Sequence, residues 1–224
     1  MIDTVSPMTE RDPPLPAKPL LRGVSHQIAF FVALVAGLLL VHGARGARAQ
    51  VGAAVYASSL AALFGVSALY HRRNWQPAAR RWMRRLDHSA IFVLIAGTFT
   101  PFCLLLREGA HFALALCWGA AALGVAQSVF WVSAPKPVAA ILAVAMGWSV
   151  LPILPDIRSA TGTFGVVLLL GGGVLYCLGA AAYAFKRPNP APAVFGYHEI
   201  FHAFVIAGSA CHFAVMIVVL RALA

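Results

Sequence analysis

Charged residues are scarce in this chain of 224 residues: they make up 11%, whereas 61% are hydrophobic, and the mean hydropathy is +0.81. A soluble domain carries about 25% charged residues, so this chain lacks the polar surface that a globule in water needs. No segment alternates between polar and apolar residues as a membrane-barrel strand does. The composition therefore predicts α-helices in lipid, and the length suits one bundle.

Paired cysteines are also missing. The four cysteines, Cys103, Cys117, Cys177 and Cys211, lie inside apolar runs, and no C-x-x-C pair occurs. We expect them to be reduced and to pack as small hydrophobic residues.

A continuous basic stripe is absent as well, although the formal net charge is +10. The basic residues lie between apolar runs, which fits anionic lipid headgroups and topology signals rather than nucleic acid. Residues 1–22 combine acids with five prolines and lack the cationic start of a signal peptide. We expect a disordered arm over 1–22 and a transmembrane domain over 23–224.

Seven stretches free of Lys, Arg, Asp and Glu are long enough to cross a bilayer, which takes about 20 residues. They predict an all-α integral membrane protein, a seven-transmembrane-helix bundle. The least regular stretch is the fifth, because Pro152 and Pro155 lie near its end. The predicted helices cover about 24–44, 50–71, 87–106, 110–132, 137–154, 161–185 and 194–222.

Orientation follows from the basic residues, which concentrate in cytoplasmic loops. With the N-terminus inside, twelve of the 17 Lys and Arg residues are cytoplasmic, six of them between residues 72 and 85. We therefore predict a cytoplasmic N-terminus and an outer C-terminus, in the plasma membrane or the inner membrane of the cell. Membrane lipids are the expected partners, and the oligomeric state is left open.

Polar side chains meet at the cytoplasmic ends of three of these helices. Ionisable residues close to apolar helices are costly and are functional candidates. His71 ends helix 2, Asp87 opens helix 3, and His198 and His202 open helix 7. His198 and His202 are one turn apart, which is metal-ligand spacing, and three imidazoles leave a fourth position open for water. Ser67 shares the helix face of His71.

Residues 198–202 read H-E-x-x-H, the helical motif of zinc metalloproteases with Glu199 as base. Such proteases take a third ligand downstream. The extended motif requires glycine and histidine where this chain has Val205 and Gly208. His212 is displaced around the helix and about 15 Å deeper than His202. We therefore expect the third ligand upstream, at His71.

Three stretches together resemble the bacterial hemolysin III family, which is related to adiponectin and progestin receptors and distantly similar to alkaline ceramidases. The stretches are Ser67–His71, Leu86–Ser89 running into Ile95–Phe102, and Gly196–Val205. The resemblance implies seven helices and a zinc ion near the cytoplasmic face, with His71, His198 and His202 as ligands. It also implies that Ser67 and Asp87 are polar partners of a water molecule at the zinc.

Two functions are compatible with these residues. The first is a zinc-dependent hydrolase of lipid amides or esters, with Asp87 or Glu199 as base and Ser67 orienting the water or the oxyanion. The second is a non-enzymatic sensor, regulator or cytolytic pore with structural zinc. A retinal protein is excluded because helix 7 contains no lysine for a Schiff base.

Overall fold

A computed structural model describes residues 18–106, 111–131 and 133–222. Within these ranges the regular structure is helical, apart from one isolated bridge between Ala191 and Phe195. The predicted all-α architecture is therefore confirmed for the described part of the chain. The helices are α1 Val24–Gly43, α2 Ala47–Arg72, α3 Pro77–Leu105, α4 His111–Phe130, α5 Lys136–Trp148, α6 Leu154–Phe185 and α7 Tyr197–Ala222, with a 3-10 turn at Leu151–Ile153.

Six helical ranges in the described residues are long and apolar enough to cross a membrane. Five are α1, α2, α3, α4 and α7, and the sixth is the combined range Pro137–Phe185, which contains most of α5 and all of α6. The chain is therefore a multi-pass membrane protein. The seventh crossing and the orientation of the termini remain predictions.

The combined range Pro137–Phe185 folds back on itself. The indole nitrogen of Trp148 lies 3.3 Å from the Sγ of Cys177, 29 residues later. A continuous helix would separate these residues by about 43 Å, so the chain must reverse between them. Gly162, near the midpoint, has φ 68° and ψ −175°, which is not helical. Only glycine adopts this conformation without strain, so Gly162 marks the reversal.

The helices pack mainly against their sequence neighbours, and α7 closes the arrangement by packing on α6, α1 and α2. Helix α1 shows how this bundle is suited to lipid. Its inner face carries small residues such as Ala29, Ala33 and Gly37, whereas Phe31 and Leu38 are exposed. Large apolar residues on the outer face suit a hydrocarbon solvent and would be unfavourable in water.

Two boundaries differ from the sequence prediction in ways that matter for the site. Helix α3 begins at Pro77 rather than near residue 87, because its arginines favour helix and extend it beyond the apolar stretch. Helix α7 begins at Tyr197 rather than near residue 194, because the preceding residues form a turn closed by the Ala191–Phe195 bridge.

The predicted disordered arm is ordered over its last five residues. Residues 18–22 form a turn whose backbone N–H groups at Leu20 and Leu21 donate to Ala193 and Val194. These bonds hold the segment against the loop before α7. Sequence composition gives no indication of such a contact. Residues 1–17 lie outside the described residues.

All four cysteines are free, as expected, with Cys103 and Cys117 buried.

Close helix contact at Gly97 gives a test of the packing. A Cβ at Gly97 of α3 would overlap the Cβ and hydroxyl of buried Ser59 on α2. Gly97→Ala is therefore expected to destabilise the bundle by about 1–3 kcal/mol, because overpacking displaces both helices. Thermal unfolding of detergent-purified protein measures this. Gly119→Ala is the matched control, because nothing lies within 4 Å of its added carbon. An equal transition temperature for the two variants would contradict this packing.

Candidate metal centre

Three histidines meet where α2 ends and α7 begins. His71 lies in the last turn of α2, and His198 and His202 lie in the first two turns of α7. All three side chains are buried. The spacing of four residues places His198 and His202 on one face of α7, and this face is turned towards the end of α2. The structure therefore brings together the three residues that the sequence analysis proposes as metal ligands.

The distances between the rings suit a metal ion. One nitrogen from each ring can be chosen so that all three lie within 4.8 Å of one another. The Nε2 atoms of His71 and His198 are 3.1 Å apart. Two imidazole nitrogens on a tetrahedral zinc ion are separated by about 3.3 Å. Burial of three imidazoles with converging nitrogens fits such an ion, and among the described residues this group alone has metal-binding geometry.

Asp87 lies beside the ligand nitrogens. Its Oδ2 is 3.7 Å from the Nε2 of His71, the same nitrogen that faces His198. The carboxylate therefore lies on the side of the cluster where the nitrogens of His71 and His198 face each other. Ser67 interacts with the Asp87 carboxylate through its side chain. Residues from α2 and α3 thus place an acid and a hydroxyl next to the histidines.

Glu199 has different partners. Its Oε1 pairs with the guanidinium of Arg22, and its Oε2 accepts a hydrogen bond of 2.8 Å from the backbone N–H of Gly196. The second contact is one half of a capping box, in which a glutamate in the first turn binds the backbone just before its helix. Both carboxylate oxygens therefore have partners outside the histidine cluster. Of the two proposed acids, Asp87 is the one that faces the ligand nitrogens.

His26 belongs to the same cluster, although the sequence analysis did not select it. Its ring stacks on His202 with centroids 3.8 Å apart and planes at 7°, and it meets the ring of Phe64 edge-on at 5.0 Å. No histidine lies three or four residues from His26 on α1, so sequence spacing does not mark it as a member of the cluster. Topology does indicate it, because the first turn of α1 lies at the same end of the bundle as the other histidines.

The same end of the bundle is rich in cations. Partial burial, and then the positive charges of Arg80 and Arg22, lower the pKa of Lys18 from its usual value. Arg85 lies over the ring of Trp82, with its guanidinium carbon 4.5 Å from the ring centroid. Lys18 and Arg22 lie close enough to act on His71, and among the described residues the acids beside the cluster are Asp87 and Glu199. The local field therefore favours anionic groups.

A cavity of about 190 Å³ adjoins the histidines. Asp87, His88 and His198 line its polar end, and most of the other lining residues are apolar side chains of α3, α5 and α6. His212 of α7 lines its deep end. Because His198 and His212 are 14 residues apart on one helix, the cavity extends about 21 Å along the bundle. Its length and lining suit a hydrocarbon chain.

Comparison with known proteins identifies the family of the chain. The chain matches the family described as haemolysin-III related over residues 16–213. It is 34% identical to Hemolysin-3 of Bacillus cereus over 198 residues, covering 85% of this chain and 86% of that protein. It is 29% identical over 196 residues to the monocyte to macrophage differentiation factor of Homo sapiens, covering 84% and 79% respectively. With its multi-pass helical bundle and its cluster of three histidines, the chain belongs to the haemolysin-III related family.

Proposed function

We propose that this protein is a zinc-dependent hydrolase of lipid amide or ester bonds that acts at the cytoplasmic leaflet. One observation carries the proposal: three buried histidines meet beside a carboxylate, and two members of this group, His198 and Asp87, also line one end of a long, mostly apolar cavity. Each part alone has ordinary structural explanations. Their contact in one place supports a reaction on a molecule with a polar head and a hydrocarbon tail.

The donor set favours zinc held by His71, His198 and His202. Imidazole nitrogen suits zinc, copper, iron and nickel better than magnesium or calcium. Three protein ligands with an open fourth position are typical of catalytic zinc, whereas structural zinc has four protein ligands. Bound zinc supplies a water molecule of lowered pKa and polarises a carbonyl oxygen.

Asp87 is assigned the proton transfer. Its Oδ2 lies close enough to the ligand nitrogens to accept a proton from a water molecule there and to pass it to the leaving group. Ser67 is assigned a positioning role, because its side chain interacts with the Asp87 carboxylate. Glu199 is assigned a structural role, because its carboxylate oxygens bind Arg22 and the Gly196 N–H at the start of α7.

The cavity lining supports a substrate with a hydrocarbon tail. Phe99, Val150 and Leu169 on its walls offer apolar contact and no hydrogen bonds from their side chains. A lipid tail along this cavity would place the head group beside His198 and Asp87. The hydrocarbon core of a bilayer is about 30 Å thick, so a cavity of about 21 Å accommodates a tail from one leaflet.

The topology assigned here has seven crossings with the N-terminus in the cytoplasm. Two antiparallel arms within Pro137–Phe185 supply the fifth and sixth crossings. The arginines at the start of α3 and at the end of α2 would then face anionic headgroups on the inside, as the basic-residue rule requires. This orientation places the histidine cluster at the cytoplasmic leaflet.

A structural role for the metal is the second candidate. His71 belongs to α2 and His198 to α7, and these two helices contact each other far less than either contacts its sequence neighbours. A metal ion between them would fasten the two helices without any reaction. This candidate predicts metal binding without turnover, so measurements of metal and of turnover distinguish the two functions.

Metal analysis is the first test. Detergent-purified protein is expected to contain about one zinc ion per chain by elemental mass spectrometry, and His202→Ala is expected to lose it. Loss of one imidazole from three lowers zinc affinity by far more than the 10- to 100-fold typical of supporting residues. His42→Ala, at an exposed position of α1, is the matched control and should retain the metal. A wild-type protein without bound metal under zinc-replete conditions would contradict the proposal.

Turnover is the second test. Long-chain acyl amides and acyl esters in mixed micelles are offered to the purified protein, and released fatty acid is measured by mass spectrometry. Asp87→Asn is expected to keep its zinc and to lose about 10²- to 10⁴-fold in kcat, because it removes the proton acceptor. Asp156→Asn, in the first turn of α6, controls for loss of an acid elsewhere. Full turnover in Asp87→Asn would refute this assignment, and zinc without any turnover would favour the structural role.

A further inference from the structure

The residues just before α1 cross the end of the bundle that carries the histidines. We call the segment Lys18–Gly23 the strap. It contacts the end of α2, the loop before α7 and the first turn of α7, three parts that are distant in sequence. The proposed reaction assigns the strap no role, yet its contacts concentrate on elements that hold the metal ligands.

On the α2 side, the strap lies directly against His71. The ammonium of Lys18 donates to the backbone carbonyls of Arg73 at 2.7 Å and His71 at 3.4 Å. Carbonyls at the end of a helix lack partners within that helix, so Lys18 satisfies two of them. Gly23 has φ +78°, and a Cβ there would lie 2.7 Å from the Cβ of His71. Only glycine permits this approach and this backbone conformation.

On the α7 side, the strap is fastened by the backbone and by one ion pair. The N–H groups of Leu20 and Leu21 donate to the carbonyls of Ala193 and Val194 at 3.0 and 3.1 Å. Arg22 pairs with Glu199, whose side chain is 2% exposed. Removing the cation partner of a buried acid strongly destabilises the folded state, because it leaves a buried charge uncompensated. The ion pair therefore resists any movement of the strap away from α7.

The chain that leaves the strap continues to cover the cluster. Three residues after Gly23, His26 stacks on His202. The strap and the first turn of α1 thus contact two of the three proposed ligands, Gly23 at His71 and His26 at His202. The cavity meets the cluster from inside the bundle, where His198 is a lining residue.

We propose that the strap is a latch on the metal site, fastened by the Arg22–Glu199 ion pair, which holds the ligands in place and closes the cluster to ions and water from the membrane surface. This inference rests on the proposed zinc site. Zinc exchanges through the strap when the ion pair opens, whereas a lipid reaches the site through the cavity. Arg22 and Glu199 are therefore positioning residues, which act on the site through the strap and the start of α7.

Zinc release into excess chelator tests the latch. The purified zinc-loaded protein is mixed with a chelator that absorbs differently when it binds zinc, and the release rate is followed optically. Arg22→Gln is expected to release zinc about tenfold faster or more, because the buried partner charge is left uncompensated. Arg81→Gln, at an exposed position of α3, should release it at the wild-type rate. Equal rates for Arg22→Gln and wild type would overturn the proposal.

A conservative variant separates the latch from a loss of folding. Arg22→Lys keeps a cation that can pair with Glu199 and leaves the Glu199 bond to the Gly196 N–H in place, so it is expected to release zinc more slowly than Arg22→Gln. A generally misfolded site would not regain slow release in this way. Release from Arg22→Lys as fast as from Arg22→Gln, in protein that keeps its thermal transition, would count against the ion pair as the fastening.

A final measurement does not depend on zinc. His71→Cys removes a ligand and places a thiol beneath Gly23. A charged thiol reagent that does not cross membranes should modify this cysteine slowly, and faster by about tenfold when Arg22→Gln is added. Peptide mass spectrometry distinguishes position 71 from the four native cysteines. Absence of zinc from the wild type would remove the proposed function alone, whereas equal labelling rates would remove the latch.

Discussion

Three imidazole rings must be kept out of lipid, and much of the described structure around them serves that requirement. A polar ring in hydrocarbon is unfavourable unless its nitrogens have partners. The Nε2 atoms of His71 and His198 meet this requirement by facing each other across α2 and α7, and the ring of His202 lies edge-on to that of His71. The packing of α7 against α2 and α1, which closes the bundle, brings the rings together. The contact that brings these polar rings together is thus also the contact that closes the bundle.

That the three histidines meet is predictable from the sequence, because two periodic constraints apply to them. The helical repeat places His198 and His202 on one face, and the alternation of successive crossings places the end of α2 and the start of α7 at one end of the bundle. Neither constraint requires knowledge of side-chain conformation. The all-α architecture is predictable as well, because long apolar stretches and scarcity of charge can be read directly from the sequence.

The remaining features depend on contacts that have no local signal. His26 stacks on His202, but no histidine lies three or four residues from it in the sequence to mark it as part of the cluster. The early start of α3 lies among arginines, which favour helix but also concentrate in the loops between membrane helices. The reversal at Gly162 depends on one φ angle, whereas the prolines at 152 and 155 drew attention to an earlier position. In each case a tertiary contact or a single backbone angle decides between states that the sequence permits.

The strap is a further example of order that depends on tertiary contacts. Composition rich in proline and acids predicts disorder over residues 1–22, yet residues 18–22 are ordered by backbone bonds to the loop before α7. Proline cannot donate a backbone hydrogen bond, and Pro19 is followed by the two residues, Leu20 and Leu21, that do. A short segment of ordinary composition is therefore ordered by the surface on which it lies.

Glu199 shows that a motif does not determine the chemistry of its residues. In an H-E-x-x-H helix, the glutamate can act as a base only if its carboxylate is free to turn towards the metal. Here the Gly196 N–H and the Arg22 guanidinium hold its two oxygens, and both groups come from segments outside the motif. Asp87 has its carboxylate directed at the ligand nitrogen of His71 instead. The same five letters therefore describe a helix start with two candidate metal ligands and an acid that supports the fold, while the acid beside the histidines comes from α3. The partners available to each carboxylate, rather than its place in a motif, separate the two roles.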